Sequence, residues 1–185
     1  MKVSNLNNSG FTLIELLLVI ALLSITVGVT SDILVNLIRS YNKTHAMNNV
    51  EQTANFVSMK LTKELRNASG VITPPTTGTS GPTLVFSDRN NNQVQYSVSG
   101  NAVVRCILVS GACQAGTSFP LNITGATYTD AVNATCPVNP CFTRRSSDPD
   151  AVDINIIFDQ ANTGGNPQFT SRVNIKTTVI VRNTY

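Results

Sequence analysis

The sequence predicts an α+β chain in which one long N-terminal helix packs on an antiparallel β-sheet domain. Three observations carry this. Residues 11–29 are apolar apart from Thr12, Glu15, Ser24 and Thr26, and no proline occurs between Phe11 and Thr73. Between residues 34 and 68 the apolar side chains Leu34, Leu37, Ile38, Tyr41, Val50, Ala54, Val57, Leu61, Leu65 and Ala68 recur mostly every three or four positions, the stripe of an amphipathic helix. Beyond residue 82, short runs alternate polar and apolar with period two between Gly-, Asn- and Ser-rich turns, the pattern of half-buried strands.

The helix has two halves of different chemistry. At 1.5 Å per residue the run 11–29 spans about 28 Å, close to the hydrocarbon thickness of a bilayer. A carboxylate in lipid costs several kcal/mol without a partner, which makes Glu15 a functional candidate. The second half carries Asn36, Arg39, Lys43, Asn49, Lys60, Lys63 and Arg66 largely off its apolar stripe, and Lys60 and Glu64 stand at i, i+4 for a weak ion pair. Ser69-Gly70 and then Pro74-Pro75 supply a stop. The alternative is two helices broken near Thr30-Ser31-Asp32, with Gly28, the only glycine inside the run, as a soft point.

The string Gly10-Phe11-Thr12-Leu13-Ile14-Glu15, set between a polar leader and an apolar run, resembles the processing site of type IV pilins and pseudopilins. The resemblance implies that a prepilin peptidase cuts after Gly10 on the cytoplasmic face and N-methylates the new first residue, Phe11. It also makes Glu15 the family's conserved acid, five residues into the mature chain. A glycine leaves the scissile bond without a side chain on one side, so backbone can be approached closely. Cleavage exposes an α-amine with a reference pKa near 8, still largely cationic at neutral pH. In the family reading Glu15 meets that amine on a neighbouring subunit and sets axial register; pairing with its own Phe11 amine, one turn away, is the alternative.

The bounds on the chain agree with an exported anchor. In residues 1–10 Lys2 is the only charged side chain, and Val27-Gly28-Val29 is a poor substitute for a signal-peptidase site. Lys2 and the initiator amine favour a cytoplasmic N-terminus, against Arg39 and Lys43 on the far side. Loss of the leader leaves 12 basic and 10 acidic side chains, a formal +2, which gives no global electrostatic case for nucleic acid. Of the 185 residues only 12% are charged, which suits a solvent-facing β-rich surface better than a cytosolic enzyme. The expected organisation is a leader at 1–10, a transmembrane and assembly helix at 11–30, an amphipathic helix at 31–70 and an exported β-rich domain at 71–185.

Within that domain, residues 71–81 read as a Thr-, Pro- and Gly-rich linker. Strands are predicted at 83–86, 93–98 and 102–109, an antiparallel meander with turns at 87–92 and 99–101. Residues 111–141 read as irregular, with a short strand at Thr127-Tyr128. Further strands are expected at 152–158 and 172–181, separated by a Gly/Asn-rich loop at 160–168. The last strand is expected as a central or closing one that ties down the chain end. The string Gln95-Tyr96-Ser97-Val98-Ser99-Gly100-Asn101-Ala102-Val103-Val104-Arg105 resembles the β-region of J-type pseudopilins and W-type minor pilins, as does a terminal strand ending Val181-Arg182-Asn183. The sequence departs from major pilins in lacking a clear cysteine-bounded loop at its C-terminus.

Four cysteines, Cys106, Cys113, Cys136 and Cys141, lie in the part expected to face outward, where an even count reads as disulfides. Local pairing of 106 with 113 and 136 with 141 is the simplest of three connectivities. A four-cysteine zinc site fits the spacings poorly, and no metal or other cofactor is expected. Asp88, Asn90 and Asn92 mimic the start of a calcium loop but lack its glycine and its final acid, Ser99 standing there, so a polar hairpin turn is expected. His45, the only histidine, reads as a helix-surface residue. Arg144-Arg145 reads as part of a solvated loop, able to touch an acidic partner or DNA phosphates. No catalytic residue is expected.

The resemblance implies a structural subunit, a minor one, of a type IV pilus or a type II secretion-like pseudopilus. Its partners would be the prepilin peptidase, other pilin or pseudopilin subunits, the inner-membrane assembly machinery and membrane lipid. It would sit as a single-pass protein in the cytoplasmic membrane with its C-terminal domain outside, then enter the filament. The alternatives are a monomeric, membrane-anchored extracytoplasmic binding module and a minor pilin of DNA uptake or adhesion.

Overall fold

The computed structural model describes residues 11–122, 131–137, 140–160 and 171–182. A single helix, α1 (Leu13–Arg66), takes up most of the proline-free run 11–73 and passes through residues 30–32 without a break. Glu15 in its first turn and Lys63 and Arg66 in its last complement the helix dipole. It ends three residues before the expected Ser69. The Asn67 N–H donates to Glu64 O at 3.2 Å and the Ala68 N–H to Leu65 O at 3.2 Å, so the last carbonyls are met by a tightened turn.

The chain divides into two compact units, Met1–Tyr41 and Asn42–Tyr185. In the first, the described apolar side chains are exposed, from Phe11 and Leu13 to Leu37, Ile38 and Tyr41. The predicted single stripe therefore has two fates. Its members Leu34, Leu37, Ile38 and Tyr41 are exposed, whereas Val50, Ala54, Val57, Leu61, Leu65 and Ala68 are buried, joined by Ala46.

The second unit adds two antiparallel sheets to the helix. The first contains β1 (Gly70–Thr73), β3 (Thr83–Ser87), β4 (Gln93–Ser99), β5 (Ala102–Val109) and β6 (Ala112–Cys113) in that spatial order, with β7 (Phe119–Pro120) also on β5. The second runs β11 (Arg172–Ile180), β10 (Asp150–Gln160), β9 (Phe142–Ser147), β2 (Ser80–Gly81), with β8 (Val132–Thr135) also on β10. The meander β3–β4–β5 is the predicted one, in a register that sets Leu84 against Tyr96 and Tyr96 against Arg105. Its second turn places Gly100 at φ 58° and Asn101 at φ 65°, the two left-handed residues of a two-residue hairpin. The first turn is closed by Asp88, whose Oδ1 accepts the N–H groups of Asn90 and Asn92, both at 2.8 Å. This is the polar hairpin turn that the sequence suggests.

One hydrophobic core joins these layers. Val50, Val57, Leu61 and Leu65 of the helix meet Leu84, Phe86, Tyr96 and Val103 of the first sheet and Phe142, Ile154, Ile156 and Phe158 of the second. Each fully buried side chain of this size contributes about 1.5–3 kcal/mol. The rings of Phe86 and Tyr96 stack with centroids 6.0 Å apart.

Several expectations fail for identifiable reasons. Residues 71–81 are not a bare linker: they supply most of β1 and all of β2, each too short for a periodic signal. The stretch 111–141 is not wholly irregular, because β6, β7 and β8 lie in it, β8 turning only Val132 and Ala134 inward. Strand β9 was not expected, since Phe-Thr-Arg-Arg-Ser-Ser carries one apolar residue. The last strand is neither central nor closing: among the described residues β11 pairs with β10 alone and lies at the end of its sheet. The strand suggested at Thr127-Tyr128, most of the loop at 160–168, and Asn183 lie outside the described residues.

Candidate functional site

Phe11 is 74% exposed, and Glu15 is exposed in the first turn of α1. The N–H groups of Glu15 and Leu16 donate to Thr12 O at 3.1 and 3.2 Å, so the helix is anchored immediately before the acid. A carboxylate in the first turn is favoured by the partial positive charge of the free N–H groups there. Gly10 and the leader lie outside the described residues.

Downstream, α1 is long and apolar enough to cross a membrane. Four of its hydroxyl groups are bonded within the helix. Ser24 Oγ donates to Ile20 O at 2.8 Å, Thr26 Oγ1 to Leu23 O at 2.9 Å, Ser31 Oγ to Val27 O at 2.8 Å, and Thr30 Oγ1 to Thr26 O. Such back-bonding hides hydroxyl groups that would otherwise be costly in an apolar medium. Glu15 has no counterpart of this kind, because a carboxylate can only accept.

Residues 5–31 match the prokaryotic N-terminal methylation motif. This motif is the signature of type IV pilins and pseudopilins. It covers residues on both sides of the Gly10-Phe11 junction, Glu15 and most of the exposed apolar run. Comparison with curated proteins finds no match, and neither does comparison with solved structures. The motif supports a pilin-like or pseudopilin subunit in general, and implies processing by a prepilin peptidase and assembly with other pilin subunits.

In the second unit the structure assembles polar sites that sequence spacing missed. Glu64 does not turn to Lys60. It takes the Arg105 Nε–H at 3.1 and 3.0 Å on its two oxygens and the Tyr96 hydroxyl at 3.0 Å. Lys60 lies instead with its Nζ 5.9 Å from the centre of the Phe56 ring. Burial pushes the Tyr96 hydroxyl well above the usual phenol range, and the negative charge of Glu64 adds to the effect.

Arg144 and Arg145 are not on a loop. They stand on β9 with opposite environments. Arg144, its side chain 12% exposed, pairs with Asp150 and donates to Pro75 O at 2.8 Å. Asp150, 5% exposed, also accepts the Val71 N–H at 2.9 Å, so it ties β10 to β9 and β1. Arg144 is thereby committed to partners within the chain. Arg145 is exposed and pairs with Asp153 at 2.7 Å; its hydrogen bond holds the Asp153 carboxyl below the usual carboxylate range.

The cysteines pair locally, Cys106 with Cys113 and Cys136 with Cys141. All four sulfurs are thus in disulfides, which leaves no thiolate set for zinc. The first disulfide links β5 to β6, and the second closes the entry to β9. His45 is exposed on α1, with Asn49 Nδ2 3.3 Å from its Nδ1.

Proposed function

We propose that this chain is a minor structural subunit of a type IV pilus or a secretion pseudopilus, cut after Gly10, N-methylated at Phe11 and polymerised through its N-terminal helix. The observation that carries the reading is the methylation motif at 5–31 running into an exposed apolar helix with one acid near its start. Before assembly the lipid bilayer covers that surface, with residues 11–30 in the cytoplasmic membrane and residues 71–185 outside. After assembly the same surface packs on neighbouring subunits. Glu15 has no cation on its own side chains within a turn, so its partner is an α-amine exposed by cleavage; an opposite charge in low dielectric offsets its desolvation. The back-bonded hydroxyls leave Glu15 as the polar group that selects register. The chain works as a structural component and not as an enzyme.

The minor role is supported by the likeness of residues 95–105 to J-type and W-type subunits. The acid at Glu15 separates it from the tip-capping pseudopilin type that lacks one. Sheared filaments, quantified by mass spectrometry, test the reading. Trace amounts of a chain starting at methylated Phe11 support it, and an amount equal to the dominant subunit refutes the minor role. A mature chain found in membranes and never in filaments refutes the filament role and leaves an anchored binding module.

A further inference from the structure

The mature chain is nearly neutral, yet its cations are not evenly spread. Two open clefts of 480 Å³ and 430 Å³ adjoin on the C-terminal part of α1 and share Lys63 and Asn67. Around them gather Lys60, Lys63 and Arg66 from the helix, Arg89 from the β3–β4 turn and Arg182 from the end of the chain. Among the described residues the ion pairs use Arg105, Arg144, Arg145 and Arg172, and none of those five. The two carboxylates in the clefts are already engaged. Glu64 is held by Arg105 and Tyr96, and Asp88 by the Asn90 and Asn92 N–H groups. The helix dipole accounts for cations in the last turn of α1, but not for Arg89 and Arg182 converging on it.

An exposed aromatic stands in line with these charges. Phe56, Lys60, Lys63 and Asn67 follow at spacings of four, three and four, one straight face of α1 about 16 Å long. Phe56 is 50% exposed and Met59 beside it 68%. Arg89 donates to Asn67 Oδ1 at 3.3 Å, which holds its guanidinium at the end of the row.

We propose that this strip binds single-stranded nucleic acid, the phosphates lying along Lys60, Lys63, Arg66, Arg89 and Arg182 and a base stacking on Phe56. A track of unpaired cations beside an exposed ring is the chemistry by which single strands are held without sequence preference. An acidic protein segment meets the same charges but has no base to stack on the ring. Composition conceals the strip because its cations come from three distant parts of the chain. The proposal is independent of filament assembly, since a chain that never enters a filament still presents the strip.

The test is fluorescence anisotropy of labelled dT20 with the mature full chain in non-ionic detergent, from 50 to 300 mM NaCl. Binding weakens linearly on a log–log salt plot, with a slope of about −0.7 per phosphate contacted. The double variant Lys60→Gln, Lys63→Gln lowers the slope by about 1.4 and the affinity at 0.1 M salt by about 20-fold. Lys60→Arg, Lys63→Arg keeps binding, with circular dichroism reporting the fold of each variant. Phe56→Leu weakens binding by about fivefold or more with the slope unchanged. Lys176→Gln, on β11, has no effect. Absence of dT20 binding at 50 mM salt overturns the proposal, as does a double Gln variant that binds within twofold of the parent. Polyglutamate competing as well as dT20, with Phe56→Leu inert, also overturns it and assigns the strip to an acidic protein.

Discussion

Arg105 Nε donates to both carboxylate oxygens of Glu64, at 3.1 and 3.0 Å, and so pins β5 to the last turns of α1. The pair is half-covered, with side-chain exposures of 22% and 25%. Its weight comes from the third member, because the Tyr96 hydroxyl of a fully buried ring has Glu64 as its acceptor. Replacing Glu64 by Ala strands that hydroxyl and is expected to cost about 1–3 kcal/mol. Glu64→Gln keeps an acceptor and costs less. Urea unfolding read by tyrosine fluorescence, in a chain without tryptophan, measures both.

Tyr96 also predicts a response to alkali. Its folded pKa lies above the unfolded value of about 10, so its contribution to stability is complete below pH ~10 and declines as pH rises above that. Stability of the parent should therefore fall above pH 10, and Tyr96→Phe should lose part of that dependence. Equal slopes of stability against pH in the two proteins would contradict the assignment.

Asp150 should be among the most sensitive positions. Its removal leaves the largely covered Arg144 without its carboxylate and the Val71 N–H without its acceptor. Asp150→Ala is expected to destabilise the fold by about 3–5 kcal/mol, the range for breaking one side of a buried pair. Asp153→Ala, whose partner Arg145 is exposed, should cost well under half as much. Chemical denaturation of the two variants ranks them.

Each disulfide closes a short loop, so its loss should cost about 2 kcal/mol. Peptide mapping without reductant should recover the 106–113 and 136–141 links. Recovery of a 106–136 link would contradict the pairing. Double Cys→Ser variants should lower the unfolding midpoint separately and roughly additively, since one bridge lies within the first sheet and the other between β8 and β9 of the second.

Two substitutions separate processing from assembly. Gly10→Val should block cleavage and leave residues 1–10 on the membrane form, read by intact mass. Glu15→Val should leave cleavage intact, deepen the preference of the helix for lipid and impair entry into filaments. Normal incorporation of the Glu15→Val chain would remove the intersubunit role assigned to this acid.

The sequence by itself determined the features whose causes are local. The absence of proline before Pro74 and the three-to-four spacing of apolar residues were enough for α1. Alternation with Gly100-Asn101 between strands was enough for the β4–β5 hairpin. Proximity of 106 to 113 and of 136 to 141 was enough to make local bridges the simplest pairing, since short loops close easily. The Gly10-Phe11 junction with Glu15 in register was legible for the same reason, being a contiguous string.

Which partner each long polar side chain takes was set by packing between distant elements. Glu64 has Lys60 one turn away yet bonds to Arg105, 41 positions on, because packing β5 on the helix brings a guanidinium to a half-covered carboxylate. Val71 finds Asp150 across 79 positions. Arg144 and Arg145 are neighbours in sequence, but the alternation of a strand sends one to a buried carboxylate and the other to a half-buried one. Whether β11 lies inside its sheet or at the end depends on which strands pair, a matter that its own residues leave open. Periodicity reports which side of an element is apolar, and folding alone determines what that side and the polar one will meet.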